Sequence, residues 1–476
     1  MDRPNVLLIC TDHWPGLLMR PAGHPVIMTP TIAQLAHCGV RYTNAYAACP
    51  ACLPARRSLM TGTTQRTQGQ RTNKSTPMPD LPTMAQSFRD AGYQAFGVGK
   101  LHVVPNRDRI GFDDVILNNE NMRKGGDHGD DWHQYMAERG YPGQATAHGL
   151  CNVDYMTRTW HLPEDCHPTN WTTHQMCKML HRRDKRRPGF WYLSYITPHP
   201  PLNPLAAYMD LYDGIRLDEP VMGAWARDFE ALPYSLRNQV IQYAIHEATD
   251  HEKDLARRAF YATVTHIDHQ IRVVIGYLRE QGLLDNTVIV FTSDHGDMLG
   301  DHGLWAKGQF YEMSAKIPLI IVPAVGDNRL EANTRDDRLA ELRDIMPTLL
   351  DYCGVDCPDT VEGLSLLSDQ RREYLHGEME QDIRSTRMMR DQRFKLIYFP
   401  AGNHVQLFDI AADPRELHDL AADPRFAADR ARLERKLVEH FYGKDLDWVT
   451  DGRLVGEPDR PARASLLAHQ RGLRFI

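Results

Sequence analysis

Short apolar runs alternate with stretches of helical period along most of the chain. The runs at 6–10, 94–98, 190–196 and 287–291 read as buried strands, because a strand covered on both faces loses the in/out alternation of a half-exposed one. Between the last two, 255–278 carries Phe260, Val264, Ile267, Ile271, Val274, Ile275 and Leu278 at helical spacing, and Gly282 offers a stop. Strands alternating with helices predict an α/β fold: a large, mostly parallel sheet flanked by helices. The stretches 105–185 and 202–250 hold no sustained period. The first is rich in Asn, Asp, Gly, His and Trp, and the second is punctuated by Pro204, Pro220 and Pro233. Both read as insertions that would shape a binding site at the sheet edge. A helix is expected at 344–352 and a loop at 354–363. Beyond about residue 370 the pattern changes to short strands at 374–379, 386–390, 394–399 and 406–410 and a closing helix at 426–442. This predicts two units: 1–370, and a smaller C-terminal α+β unit, 371–476, carrying a short antiparallel sheet.

Composition narrows the function classes. A chain of 476 residues with 42% hydrophobic and 25% charged residues is an ordinary globular protein. A net charge of −7 gives no footprint for nucleic acid or an acidic membrane, so an anion site must be built locally. No apolar run approaches the ~18 residues of a membrane span. The first strand begins close to the start, leaving no room for a signal peptide, so a cytoplasmic location is expected. Nine scattered cysteines do not resemble a disulfide framework. Homo-oligomerisation is left open.

The candidate chemistry follows the strands. The first runs into Asp12 and His13, the second into Lys100 and His102, the third into His199, and the fourth into Asp294 and His295. Ligands of open α/β sheets bind beyond the carboxyl ends of the strands, so these sequence-distant groups converge on one edge. Carboxylates with imidazoles suit a divalent cation, which makes Asp12, Asp294 and His295 candidate metal ligands, with His13 a further candidate. Gly97-Val98-Gly99-Lys100 is only a fragment of a phosphate loop, since Leu101 ends the match. Cys49-Pro50-Ala51-Cys52 has the C-x-x-C spacing but not the small βαβ context of a redox motif, and no second Cys/His pair makes it a zinc knuckle.

The same cysteine opens the most informative run: Cys52-Leu53-Pro54-Ala55-Arg56, continuing to Leu59-Met60-Thr61-Gly62, with Pro54 near the start of a helix. This resembles the type I sulfatase signature, C-x-P-[SA]-R followed by Leu/Met-Thr-Gly. The resemblance implies an alkaline-phosphatase-like fold and hydrolysis of a small-molecule sulfate ester. It implies that Cys52 is oxidised to formylglycine by a formylglycine-generating enzyme, with Arg56 pinning the modified residue. Lys100 and His102 match the family's G-K-x-H element, which holds sulfate and the formylglycine. His199 matches P-H-x-P and would face the ester oxygen, and Lys307 matches a second sulfate-binding lysine. The resemblance also implies one divalent metal ion, Ca²⁺ in the first place with Mn²⁺ or Zn²⁺ as alternatives, held by Asp12, Asp294, His295, His13 and residue 52. His13 departs from the family, which has Asp there most often, and an imidazole shifts preference toward Mn²⁺ or Zn²⁺. Further matches at 284–287, 344–348 and 407–416 extend the resemblance over most of residues 5–430.

Two rivals remain at this stage. A phosphonate monoester or phosphodiester hydrolase shares the fold and the modified cysteine, and the non-acidic residue after Asp12 favours it. An inactive, binding sulfatase scaffold predicts loss of Cys52, Arg56, Asp12 or Asp294, and all four are present.

Overall fold

In a computed structural model of the chain, residues 3–119, 130–243 and 245–462 are described. Part of the expected 105–185 insertion (120–129), residue 244 of the second, and the tail 463–476 lie outside the described residues. The strand β1 (Asn5–Thr11), buried at every position, runs near the middle of the main sheet. The other strands are β2 (Val40–Tyr46), β3 (Gln94–Gly99), β4 (Asp114–Leu117), β5 (Gly189–Tyr195), β6 (Thr287–Ser293), β7 (Leu319–Val322) and β8 (Thr334–Glu341). Their order is β4-β3-β5-β1-β6-β7-β2-β8. All neighbours pair parallel except β7, which is antiparallel to both β6 and β2.

The two faces of β1 divide the core. Leu7 and Ile9 pack on one side with Val264, Ile267 and Ile271 of the helix Asp250–Glu280 and with Met176 and Leu180 of the helix Pro168–Arg182. Val6, Leu8 and Cys10 pack on the other with Leu59, Phe88, Ile345 and Leu349. A sheet covered on both faces explains why its central strands read as unbroken apolar runs. The long helix is fixed at its start by a capping box in which the Thr249 and Glu252 side chains satisfy each other's backbone amides.

A second sheet, β9 (Leu375–Met379), β10 (Thr386–Arg390), β11 (Phe394–Phe399) and β12 (His404–Asp409), is an antiparallel meander. One face carries Met389, Leu396 and Leu407 against Leu433 and Leu437 of the helix Ala427–Glu439. The other turns Met388, Ile397 and Phe408 toward Tyr46, Leu304 and Phe310. Buried Lys395 joins the two parts, its Nζ lying 2.8 Å from Glu312 and 2.6 Å from Glu416.

The structure revises two expectations. The stretch 105–185 is not irregular throughout: it contains β4 and the helices Asp131–Glu138 and Pro168–Arg182. The last of these buries Thr169, Asn170, Thr172 and Thr173 beside its apolar residues, which blurs the helical period. Likewise 202–250 holds the helices Ala206–Asp210 and Tyr234–Tyr243.

Candidate active site

The helix Cys52–Thr61 is buried at all ten positions and begins at the cysteine itself, which places Pro54 third rather than first. Proline is tolerated throughout the first turn because its missing N–H would have no partner inside the helix. The opening amides aim a positive dipole end at whatever lies beyond residue 52. Beyond it lie the ends of β1 and β6. Cys52 Sγ stands 3.2 Å from His295 Nε2 and 3.7 Å from Asp12 Oδ1. Neither Cys52 nor Cys49 is in a disulfide, and the Cys49 thiol instead packs 3.5 Å from Met379 Sδ.

Arg56, one turn along, donates to Asp294 Oδ2 at 2.8 Å, to the Lys100 carbonyl at 2.8 Å, to Tyr192 Oη at 3.0 Å and to Ser194 Oγ at 2.8 Å. It therefore ties the helix start to the ends of β3, β5 and β6. Lys100 reaches its place because Gly99 adopts φ +102°, where a Cβ would lie 1.8 Å from the Ser194 carbonyl oxygen. The Lys100 ammonium pairs with Asp12 Oδ2, and the other Asp12 oxygen faces His295 Nε2 at 3.5 Å and His13 Nε2 at 3.8 Å. Asp294 stands one step back, with Oδ1 taking the His295 amide and lying 3.7 Å from His295 Nε2. His102 is buried in a left-handed conformation (φ 57°), its backbone amide donating to Asn119 Oδ1 at 3.1 Å.

His13, also left-handed (φ 65°), bridges two groups. Its Nδ1 meets Asp297 Oδ2 at 2.7 Å, and its Nε2 meets Lys307 Nζ at 2.6 Å. Lys307 Nζ also lies 3.2 Å from His199 Nε2, and His199 Nδ1 lies 2.6 Å from the Pro200 carbonyl. Cys52, Arg56, Lys100, Asp12, Asp294, His295, His13, Lys307 and His199 thus fall into one connected cluster, while the contact that places His102 is to Asn119. Asp297 and Tyr155 were missed. Asp297 is fully buried and accepts from Tyr155 Oη, from the Leu299 amide at 3.0 Å and from the Ala306 amide at 3.1 Å. Its place two residues after His295 could have flagged it; Tyr155 comes from a stretch without pattern.

The charge balance is set by burial and pairing. Burial alone would raise the Asp12 carboxyl, but Lys100, then His199, His13 and Arg56, hold it well below the usual range. Burial and the charge of Asp12 raise Asp294. Burial depresses His13 and His295, keeping both imidazoles neutral, and His13 is lowered further by Lys307. Burial lifts Asp297 to about 6. Ionised carboxylate and neutral imidazole are the forms that bind metals. The nearest ligand atoms of Asp12, His13, Cys52 and His295 all lie within 4.8 Å of one another. Bonds of ~2.0–2.6 Å to a shared centre span up to about 5 Å, so this donor set fits one ion.

The sulfatase family profile matches residues 4–355. The chain belongs to the sulfatase family. It is therefore a sulfuric ester hydrolase with the alkaline-phosphatase-like architecture. A second profile, the C-terminal part of N-sulphoglucosamine sulphohydrolase, matches residues 300–442. This sulfatase is 34% identical to an arylsulfatase of Clostridium perfringens over 96% of its own length and 98% of the relative's. It is 29% identical to a choline-sulfatase of Rhizobium meliloti, over 90% and 85% of the two chains. The phosphonate monoester hydrolase of Agrobacterium radiobacter shares its fold with a TM-score of 0.80 at 24% identity, over 96% of this chain and 100% of that one. No helix among the described residues is long and apolar enough to cross a membrane.

Proposed function

We propose that this sulfatase hydrolyses a sulfate monoester at residue 52, after a formylglycine-generating enzyme has oxidised Cys52, with one divalent cation bound beside it. The observation that carries the reading is the position of Cys52: first residue of a buried helix and 3.2 Å from His295 Nε2, among the candidate metal ligands. Converted to formylglycine, residue 52 supplies a hydrate with one hydroxyl to attack sulfur and a second to release the sulfate afterwards. Asp12, His13, His295 and residue 52 would hold the cation, with Asp294 at its margin. The cation supplies Lewis-acid polarisation of the sulfate oxygens. Two imidazole nitrogens among these donors favour Mn²⁺ or Zn²⁺ over Ca²⁺.

The chain's own residues do the rest. Lys100 and Lys307 bring positive charge to a sulfate at the head of the helix, in a water-poor setting where fixed charges count most. Arg56 anchors the helix to Asp294 so that residue 52 keeps its place. As the ester bond breaks, the leaving oxygen needs a proton, and His199 and Lys307, 3.2 Å apart, are the groups to provide or relay it. By its match to the family's G-K-x-H element, His102 would hydrogen-bond the hydroxyls of residue 52.

A second reading, phosphonate monoester hydrolysis, is favoured by one observation: His13 stands where most of the family has a second acidic ligand. One experiment separates them. The protein co-expressed with a modifying enzyme is assayed against aryl, choline and carbohydrate sulfates beside a phenylphosphonate monoester, while mass spectrometry follows the Cys52 peptide. Sulfate ester turnover dependent on the aldehyde is expected. A preference for the phosphonate would transfer the assignment to the second reading.

A further inference from the structure

Two cavities flank the Lys307–His199 pair, and they differ in chemistry. One, behind His199, is walled by Trp132, Trp160, Leu150 and the prolines at 198, 200 and 201. The other, of about 240 Å³, lies beside Ala51 and Lys307, against the residue preceding Cys52. Its walls come from four separate parts of the chain: Asn73 after the Cys52 helix, Asn238 and Gln242 on the helix Tyr234–Tyr243, Gln309 beyond Lys307, and Glu380 with Arg384 in the β9–β10 turn. Asn73 also accepts the Leu53 amide at 3.0 Å, so of the residues lining this cavity Ala51 precedes residue 52 and Asn73 binds the residue after it.

Three features mark the second cavity as built for a hydroxylated ligand. Gln309 is 4% exposed; its Nε2 donates to Ser235 Oγ and Gln239 Oε1, while its Oε1 is buried without a donor. A buried acceptor left without a donor is costly, and a ligand hydroxyl would relieve it. Glu380 holds a left-handed backbone (φ 62°) in the turn that lines the cavity, a conformation disfavoured for a side-chain-bearing residue. Arg384, held by Asp382 at 2.7 Å, brings its positive charge to within 3.4 Å of the Glu380 carboxylate. Amides, a carboxylate and a guanidinium together match ring hydroxyls, each of which both donates and accepts.

We propose that this polar cavity receives the alcohol part of the substrate, and that this part is a single polyhydroxylated ring: a monosaccharide sulfate or the terminal sulfated residue of a glycan. The assignment rests on the sulfatase reading above. The volume falls below the ~300–1,000 Å³ of pockets for drug-sized ligands, which suits one ring rather than an oligosaccharide. Asn238, Gln242, Glu380 and Arg384 are then specificity-determining residues that bind the ring's hydroxyls beside the ester.

The test compares kcat/KM of the matured enzyme for glucose, galactose and N-acetylglucosamine 6-sulfates with that for 4-nitrophenyl sulfate, in wild type, Asn238→Ala and Glu380→Gln. At least one sugar sulfate should outperform the aryl ester. Its advantage over the aryl ester should fall by about 10- to 100-fold in each variant, the worth of one hydrogen bond involving a charged or buried group. A wild-type preference for the aryl ester over every sugar, with the ratio unmoved in both variants and shifted instead by Trp160→Ala, would overturn the proposal in favour of the apolar cavity. Turnover of phenylphosphonate with no sulfate ester cleaved would overturn the sulfatase reading instead, so the two failures are distinguishable.

Discussion

Replacing Asp297 by Asn changes one oxygen into an amide, yet the surroundings leave that amide no comfortable orientation. Oδ1 takes the Leu299 and Ala306 amides at 3.0 and 3.1 Å, while Oδ2 takes His13 Nδ1 at 2.7 Å and the Tyr155 hydroxyl. If the Asn oxygen keeps the two backbone amides, its NH₂ must face His13 Nδ1. The imidazole then carries its proton on Nε2, aimed at the Lys307 ammonium that Nε2 now accepts at 2.6 Å. If the side chain flips, two buried backbone N–H groups meet an NH₂, at about 1–3 kcal/mol for each donor left unsatisfied. Either way His13 loses its present tautomer or its anchor. Removing the partner that orients a metal-ligating His typically costs about 10–100-fold in metal affinity or activity. The same loss is expected in kcat/KM and, measured separately by metal titration, in affinity for Mn²⁺ or Zn²⁺. A double-mutant cycle makes the test sharp: with His13→Gln already in place, Asp297→Asn should add less than about threefold. Wild-type metal affinity and turnover in the single mutant, or full additivity in the double mutant, would refute the idea that Asp297 acts through His13.

Other outcomes follow from the same geometry. Mass spectrometry should find an aldehyde at residue 52 after co-expression with a modifying enzyme, and Cys52→Ser should keep only weak activity, because serine lacks the geminal hydroxyls. Lys100→Ala should lower sulfate turnover by about two orders of magnitude, the loss typical of one charge-assisted contact in a preorganised site, and should lower phosphonate turnover less; equal losses would remove Lys100 as the source of preference. Asp294→Ala leaves the buried Arg56 guanidinium without its 2.8 Å partner. It should cost about 3–5 kcal/mol of stability, read by urea unfolding, and the bound metal as well. Burial lowers His167 to about 4, while its two nitrogens serve the Thr169 amide and the Asn203 carbonyl in the neutral form. Its unfolded pKa is ~6.5, so the unfolded chain binds more protons between these values, and stability should fall as pH drops from about 6.5 toward 4. The fully developed effect is roughly 3 kcal/mol, and a urea midpoint unchanged between pH 7 and pH 4.5 would contradict it.

The sequence was most legible where structure and chemistry use the same residues. The central strands are apolar throughout because both faces are covered, and each ends in the polar residue that forms the site, so strand and site are read together. Four strands of the main sheet escaped. β8, with sequence TRDDRLAE, lies at the sheet edge and is polar along its outer half, and β2 mixes Arg41, Thr43 and Asn44 among its apolar positions. The helix Pro168–Arg182 escaped because buried threonines and Asn170 satisfy neighbours that only the folded chain brings close, as where Thr173 meets Tyr195 at 2.8 Å. Apart from His102, the predicted site residues do lie together. What their spacing could not show is that His13 has a carboxylate of its own, or that Tyr155, far away in sequence, braces that carboxylate.

Cys52 has no exposed surface in the folded chain, and its whole helix is buried with it. An enzyme that must grip the Cys52–Arg56 segment and oxidise its thiol finds nothing to hold once the sheet has closed over that helix. If Cys52 is oxidised as proposed, maturation is a race between oxidation and folding, decided while the chain is still open. Under that proposal a molecule that folds first would keep its thiol for as long as it stays folded, so the active fraction of a preparation would record the kinetics of its synthesis, and modifying enzyme added later would not raise it without unfolding.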